Sequence, residues 1–110
     1  MKLGVTDRFD ASHAIPNGGK CEQMHGHTYK VELVVEGELQ GDMLIDFKEL
    51  KHELEKVLED YDHKNLNEVM ESNSTVENLA KEIHSKLSKR LPLKVKVKVW
   101  EGHEKWCEYE

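Results

Sequence analysis

Four segments of this chain alternate apolar and polar residues, and that period of two commits much of its length to a sheet. In the first, Leu3, Val5, Phe9, Ala11 and His13 share one parity, with Asp7 the exception. In the second, His25, His27, Tyr29, Val31, Leu33 and Val35 stand against Thr28, Lys30, Glu32 and Glu36. In the third, Leu93, Val95, Val97, Val99 and Glu101 alternate with Lys94, Lys96 and Lys98. Gly102 permits a turn, and Lys105 to Tyr109 can return as a short fourth strand. Strand side chains at i and i+2 share a face, so each segment has one apolar and one polar side. Pro16-Asn17-Gly18-Gly19 is a turn signal. The first two strands are therefore expected to pair antiparallel across a short connection.

Two further segments have helical period. Asp46, with Glu49 three positions on, is a helix start, and Phe47, Leu50, Leu54, Val57, Leu58 and Tyr61 recur at steps of three and four. The apolar run Met43-Leu44-Ile45 just before it is a candidate strand fragment. Ser74-Thr75-Val76-Glu77 reads as a capping box opening a helix whose face is Val76, Leu79, Ala80, Ile83 and Leu87, closed off by Pro92. The order strand, strand, helix, helix, strand, strand predicts an α+β fold: a four-stranded antiparallel sheet with both helices on one face. The 110 residues suit a single domain spanning 1–110. A small sheet leaves edges, and pairing with other subunits would satisfy them.

Composition narrows the function classes. With 22 acids against 16 bases the net charge is −6, which argues against a nucleic-acid binder with a broad basic face. No apolar run approaches the roughly 20 residues that cross a bilayer, and the start Met1-Lys2-Leu3-Gly4 lacks the apolar stretch of a signal peptide. A cytoplasmic protein is expected, with Cys21 and Cys107 as free thiols.

The seven histidines matter by placement. His25 and His27 lie two apart on one strand, so both imidazoles point to the same face, with Cα atoms roughly 7 Å apart. His13 ends the partner strand. Three histidines with an open fourth position describe a catalytic zinc site. His63 follows Asp62 just past the first helix, where the carboxylate can orient the ring. Cys21, four residues before His25, is either a packed thiol or a nucleophile or base lowered in pKa by a dication. Glu101 ends its strand on the apolar parity, as a fraying end or a ligand anchor. Trp100, of opposite parity, reads as a packing or interface residue. His52 reads as solvated, His84 and Cys107 as ordinary packing residues, and His103 as a turn residue.

These residues in this order resemble the 6-pyruvoyltetrahydropterin synthase superfamily, closest to its 6-carboxytetrahydropterin synthase branch, over nearly the whole chain. The resemblance rests on Phe9-Asp10-Ala11-Ser12-His13, Cys21-Glu22-Gln23-Met24-His25-Gly26-His27, Met43-Leu44-Ile45-Asp46-Phe47, Tyr61-Asp62-His63-Lys64-Asn65-Leu66-Asn67, Thr75-Val76-Glu77-Asn78-Leu79-Ala80, and Glu101. It implies a T-fold whose subunits assemble into a barrel, typically a dimer of trimers, with active sites between subunits. It implies zinc on His13, His25 and His27, Cys21 as thiolate base, Asp62 with His63 as proton relay, and Glu101 as pterin anchor. The partner it implies is a small-molecule pterin, with no direct role for nucleic acid or membrane.

The implied reaction converts 7,8-dihydroneopterin triphosphate to 6-carboxy-5,6,7,8-tetrahydropterin, releasing acetaldehyde and triphosphate, on the way to 7-deazaguanines such as queuosine and archaeosine. Three residues separate Cys21 from His25, the spacing typical of that branch, whereas the pyruvoyl branch usually has five. Glu22 sits where folate-pathway relatives carry glutamate in place of the cysteine. Cleavage to 6-hydroxymethyl-7,8-dihydropterin and the 6-pyruvoyl synthase reaction are therefore alternatives. A non-catalytic pterin- or metal-binding module is the alternative of another class. Lys20, Lys64 and His103 are the candidates for the triphosphate.

Overall fold

A computed structural model describes residues 1–16 and 19–110, with Cys21 described by its backbone alone. The expected turn at 16–19 thus falls partly outside the described residues. The chain runs β1 (Lys2–His13), a 3₁₀ turn (Gly19–Glu22), β2 (His25–Glu36), α1 (Phe47–Leu58), β3 (Lys64–Asn65), α2 (Leu66–Val69), α3 (Val76–Arg90), β4 (Lys94–Glu101) and β5 (Lys105–Tyr109). The sheet order is β3-β1-β2-β4-β5.

The four expected strands are present and antiparallel to their neighbours. The sheet has a fifth strand that the four-stranded expectation lacked: β3 pairs parallel to β1, with Ala11 opposite Lys64 and Ser12 opposite Asn65. Two residues are too few to show a period, so β3 left no trace in the hydrophobic pattern. Met43-Leu44-Ile45 forms no strand; Met43 makes only an isolated bridge to Gln40, while Leu44 is buried.

One parity of the sheet is the core. Phe9 and Ala11 of β1, Tyr29, Val31, Leu33 and Val35 of β2, and Val95, Val97 and Val99 of β4 are all buried. Both helices cover that face, α1 packing on β1 and α3 on β4 and β5. They contribute Leu50, Leu54, Val57 and Leu58 from α1, and Leu79, Ala80, Ile83 and Leu87 from α3. Phe47, expected on the buried stripe, is 57% exposed at the first turn of α1. None of the described helices is long and apolar enough to cross a membrane.

The ends of the helices decide what reaches the site. Asp46 caps α1, its side chain accepting the Lys48 N–H at 2.8 Å. The helix stops at Leu58 rather than continuing to Tyr61. The N–H groups of Asp60 and Tyr61 bond three residues back, to Val57 and Leu58, which tightens the last turn. His63 then adopts a left-handed φ of 59° and donates its backbone N–H to the Asp10 carbonyl at 2.7 Å. That reversal lays residues 64 and 65 against β1. The cap of α3 is Thr75, which accepts the Asn78 N–H at 3.2 Å. Ser74, expected in that role, is buried and turns its hydroxyl to the Ala14 carbonyl instead.

Ile83 has no exposed surface, in the middle of α3. Ile83→Ala should lower the free energy of unfolding by about 2–5 kcal/mol in chemical denaturation, the usual effect of such a cavity.

Candidate metal centre and active site

The β1–β2 register brings the histidines together. The ladder runs from Lys2 opposite Glu36 to His13 opposite His25, and His27 follows two residues on, opposite Ala11. All three imidazoles lie on the helix-covered face. His13 is wholly buried, and His25 and His27 are half-buried. One ligand atom from each lies within 4.8 Å of the others. The ring planes meet edge to face, with centroids 4.6, 5.1 and 4.8 Å apart.

Hydrogen bonds set the tautomers. His13 Nδ1 lies 2.7 Å from the Ser74 carbonyl oxygen and His25 Nδ1 lies 2.7 Å from that of Gln23. A carbonyl can only accept, so each Nδ1 carries a proton, and in the neutral ring Nε2 is the nitrogen that presents a lone pair. The two Nε2 atoms are 3.1 Å apart. That spacing suits an N–H···N hydrogen bond between the rings and equally two ligands of one cation. Tetrahedral nitrogen ligands with bonds of roughly 2.0–2.1 Å sit about 3.3 Å from one another, close to this spacing. His27 Nε2 is buried without a hydrogen-bond partner. Burial is the main cause holding the His27 pKa below its ordinary value, with a smaller lowering from His13 and His25 set against a raising by Glu101. A neutral ring with an orphaned nitrogen is a metal ligand in waiting. The set fits a divalent ion, and three imidazoles suit zinc, iron, nickel or copper.

The other expected residues gather around this centre to different degrees. Glu101 lies opposite Tyr29 in the β2–β4 register, and its Oε1 stands 3.4 Å from His27 Nε2 and 3.7 Å from Lys105 Nζ. Asp62 Oδ1 accepts the Asp10 N–H at 3.1 Å, and its Oδ2 accepts from His63 Nδ1 at 2.9 Å. The Asp10 N–H first, and His63 after it, hold the Asp62 carboxyl below the usual carboxylate range. His63 is exposed, and it lines with His27, Ser12 and Thr28 a hollow of about 460 Å³. The Cys21 side chain lies outside the described residues. Glu22, in the same 3₁₀ turn, is exposed.

Four supporting groups escaped the sequence reading. Ser74 and Gln23 act through backbone carbonyls, which leave no residue-type signal. Tyr29, read only as an apolar strand residue, puts its hydroxyl 3.4 Å from His13 Nδ1. Burial, then Glu101, pushes its phenol well above the ordinary range. Asn67 clamps the backbone just after His13: its Oδ1 accepts the Ala14 N–H at 2.7 Å and its Nδ2 donates to the Ala14 carbonyl at 2.8 Å. A signal existed for Asn67, since it closes the Asp-His-x-x-Leu-Asn motif. His84 and Cys107 are packing residues as read. His84 bonds the Val95 carbonyl at 3.0 Å, and burial raises the Cys107 thiol.

The family model described as 6-pyruvoyl tetrahydropterin synthase matches residues 2–110. A dihydroneopterin monophosphate aldolase of Pyrococcus furiosus is 43% identical over 100% of this chain and 99% of its own. A putative 6-carboxy-5,6,7,8-tetrahydropterin synthase of Archaeoglobus fulgidus is 37% identical over 98% of this chain and 94% of its own. The solved structure of 6-pyruvoyl tetrahydropterin synthase from Caenorhabditis elegans superposes with a TM-score of 0.90 at 28% identity, covering 100% of this chain and 94% of the other. The chain belongs to the 6-pyruvoyl tetrahydropterin synthase family, and its fold is the T-fold of those structures. Its relatives bear the names of pterin-processing enzymes.

Zinc added to metal-free protein should raise the midpoint of thermal unfolding, and His25→Ala should abolish that rise. Asn67→Ala should keep the rise but weaken zinc affinity by about tenfold, the range for removing support behind a ligand. Calorimetric titration checks both.

Proposed function

We propose that this chain is a metal-dependent lyase that cleaves the side chain of a 7,8-dihydroneopterin phosphate between C1′ and C2′, leaving 6-hydroxymethyl-7,8-dihydropterin and glycolaldehyde phosphate. The observation that carries this is the meeting of three imidazoles with Glu101 in contact with one of them. The choice of product is supported by the full-length relative named for an aldolase, and by Glu22 in the loop before His25.

Each residue has a task in that reaction. The Glu101 carboxylate accepts hydrogen bonds from the amino group and ring N–H of the pterin. A divalent ion on His13, His25 and His27, expected to be zinc, would polarise the side-chain hydroxyls and favour loss of their protons. A base, Glu22 or Cys21, takes the C2′ hydroxyl proton. The C1′–C2′ bond breaks, C2′ becomes the aldehyde carbon, and the electron pair left at C1′ is delocalised into the dihydropterin ring. C1′ then gains a proton. His63 suits this delivery: Asp62 holds its Nδ1–H, which leaves Nε2 to give and take a proton at the wall of the hollow it shares with His27.

A second reading has its own support. Cys21 stands at the spacing typical of the 6-carboxytetrahydropterin branch, and relatives from Archaeoglobus fulgidus and Haemophilus influenzae carry that name. The product would then be 6-carboxy-5,6,7,8-tetrahydropterin, with acetaldehyde and triphosphate released, serving queuosine or archaeosine synthesis in the cytoplasm. In either case a barrel of several subunits is the proposed working form, since β3 and β5 are the edges of the sheet.

Mass analysis of the pterin product from zinc-loaded protein given 7,8-dihydroneopterin monophosphate or triphosphate separates the readings. The 6-hydroxymethyl product supports the aldolase and the 6-carboxy product the synthase. Binding of pterin without turnover would leave only a non-catalytic module. Glu22→Gln should lower aldolase turnover by about 100-fold or more while Cys21→Ala spares it, and the synthase predicts the reverse. His27→Ala should lose both metal and turnover.

A further inference from the structure

Asp62 and His63 form the tip of a β-turn, and the two feet of that turn are held very differently. The Lys64 N–H closes the turn on the Tyr61 carbonyl at 3.2 Å. Among the described residues His63 is the one non-glycine residue with a positive φ, at 59°. That conformation is uncommon for a side chain and persists only where the surroundings enforce it. One foot, Lys64, is exposed; it pairs with Ala11 of β1 and donates from Nζ to the Glu59 carbonyl at 3.1 Å. The other foot, Tyr61, has no exposed surface.

Tyr61 is gripped from three sides. Its ring lies against Phe9 of β1, with centroids 5.8 Å apart, and Phe9 in turn stacks on Tyr29. Lys86 of α3 holds its ammonium 4.4 Å from the centroid of the Tyr61 ring. The hydroxyl donates to Glu82 Oε1, also on α3, at 2.8 Å. Burial, and after it the Glu82 hydrogen bond, push the phenol far above its ordinary range, so it stays a donor. Lys86 further reaches Asp60 Oδ2 at 3.1 Å and Glu82 Oε1 at 3.9 Å. The third helix thus holds both residues that precede Asp62. An apolar stripe needs no hydroxyl at this position. A buried hydroxyl bonded to a carboxylate adds what apolar packing lacks, a strong contact with a fixed direction.

We propose that Tyr61 is the positioning residue of the Asp62–His63 pair, clamped by Glu82 and Lys86 of α3, an inference that rests on the proton relay proposed above and adds the group that aims it. With the phenol fixed, the main chain leaves residue 61 in one direction. Asp62 then meets the Asp10 N–H at 3.1 Å, and the His63 N–H meets the Asp10 carbonyl at 2.7 Å. The His63 ring is exposed, and the hydrogen bond that holds it is the one to Asp62. Its aim therefore depends on the backbone beneath it. A proton-transfer group displaced by about 1 Å can lose on the order of 100-fold in rate. Tyr61, wholly buried, acts through the main chain alone.

The test compares the zinc-loaded parent with Tyr61→Phe, with Glu82→Leu, and with the conservative Glu82→Gln, which keeps an acceptor for the phenol. The first readout is the NMR spectrum of the folded full chain, which a loss of stability alone leaves in place. The Asp10 and His63 amide resonances should shift in Tyr61→Phe and Glu82→Leu, while those of β4 stay put, and Glu82→Gln should return them toward the parent. The second readout is turnover of 7,8-dihydroneopterin monophosphate or triphosphate. In Tyr61→Phe and Glu82→Leu kcat should fall about tenfold or more, with KM and zinc affinity within about twofold of the parent, since only the aim of the relay is lost. Glu82→Gln should recover part of kcat. Unmoved Asp10 and His63 resonances in both Tyr61→Phe and Glu82→Leu, or moved resonances with the parent's kcat, would overturn the positioning role. Moved resonances in a protein whose parent turns over no pterin would keep Tyr61 as the clamp of this turn and overturn the proposed function.

Discussion

The register between β1 and β2 is the constraint on which the rest depends. A strand has a period of two, so a slip of one residue would turn every side chain of β1 to the other face. The apolar series of β2 and the helices that cover it admit only one setting. That setting buries Phe9 against Tyr29, with the rings stacked at 5.0 Å between centroids. The same setting, four residues farther on, places His13 opposite His25. The hydrophobic core therefore positions the polar site. The gain from burying the aliphatic rows supplies the alignment that three imidazoles, each better solvated apart, would not find by themselves.

Once placed, the imidazoles are held by groups with no other duty. Carbonyls of Ser74 and Gln23 accept hydrogen bonds from the two Nδ1–H groups, and Asn67 grips the backbone immediately after His13. Those contacts come from segments far apart in sequence. Ser74 is the residue before the α3 cap, and Asn67 sits in the short α2. The same turn that ends α1 early and reverses the chain at His63 also seats Asp62 on the Asp10 N–H. The strand that carries His13 and the proposed proton relay thus share one piece of backbone, Asp10 to His13. A shift of that stretch would disturb both at once.

Much of this was legible beforehand, and the reason differs by residue. His25 and His27 were readable because two residues of one strand always share a face. His13 was readable because the same parity argument applied to a second strand and the loop between them is short. Glu101 stood out as a carboxylate on an otherwise apolar row. Asp62 and His63 were adjacent, but adjacency does not say that the carboxylate is tied to Asp10 or that His63 takes a left-handed conformation. The capping box was displaced by one residue, because the Ser74 carbonyl is drawn to His13 and Thr75 inherits the cap. The extra strand β3 had too little sequence to show a pattern.

The order of the four long strands and two long helices, the buried face of each, the candidate ligands and the family itself were determined by the sequence, since all follow from local periodicity and motif spacing. Tertiary structure alone decided the tautomers of His13 and His25, the orphaned nitrogen of His27 and the approach of Glu101. Those features depend on which backbone carbonyls and charges arrive from distant segments. A one-dimensional pattern records the faces of each element, but not the partners that folding brings to them.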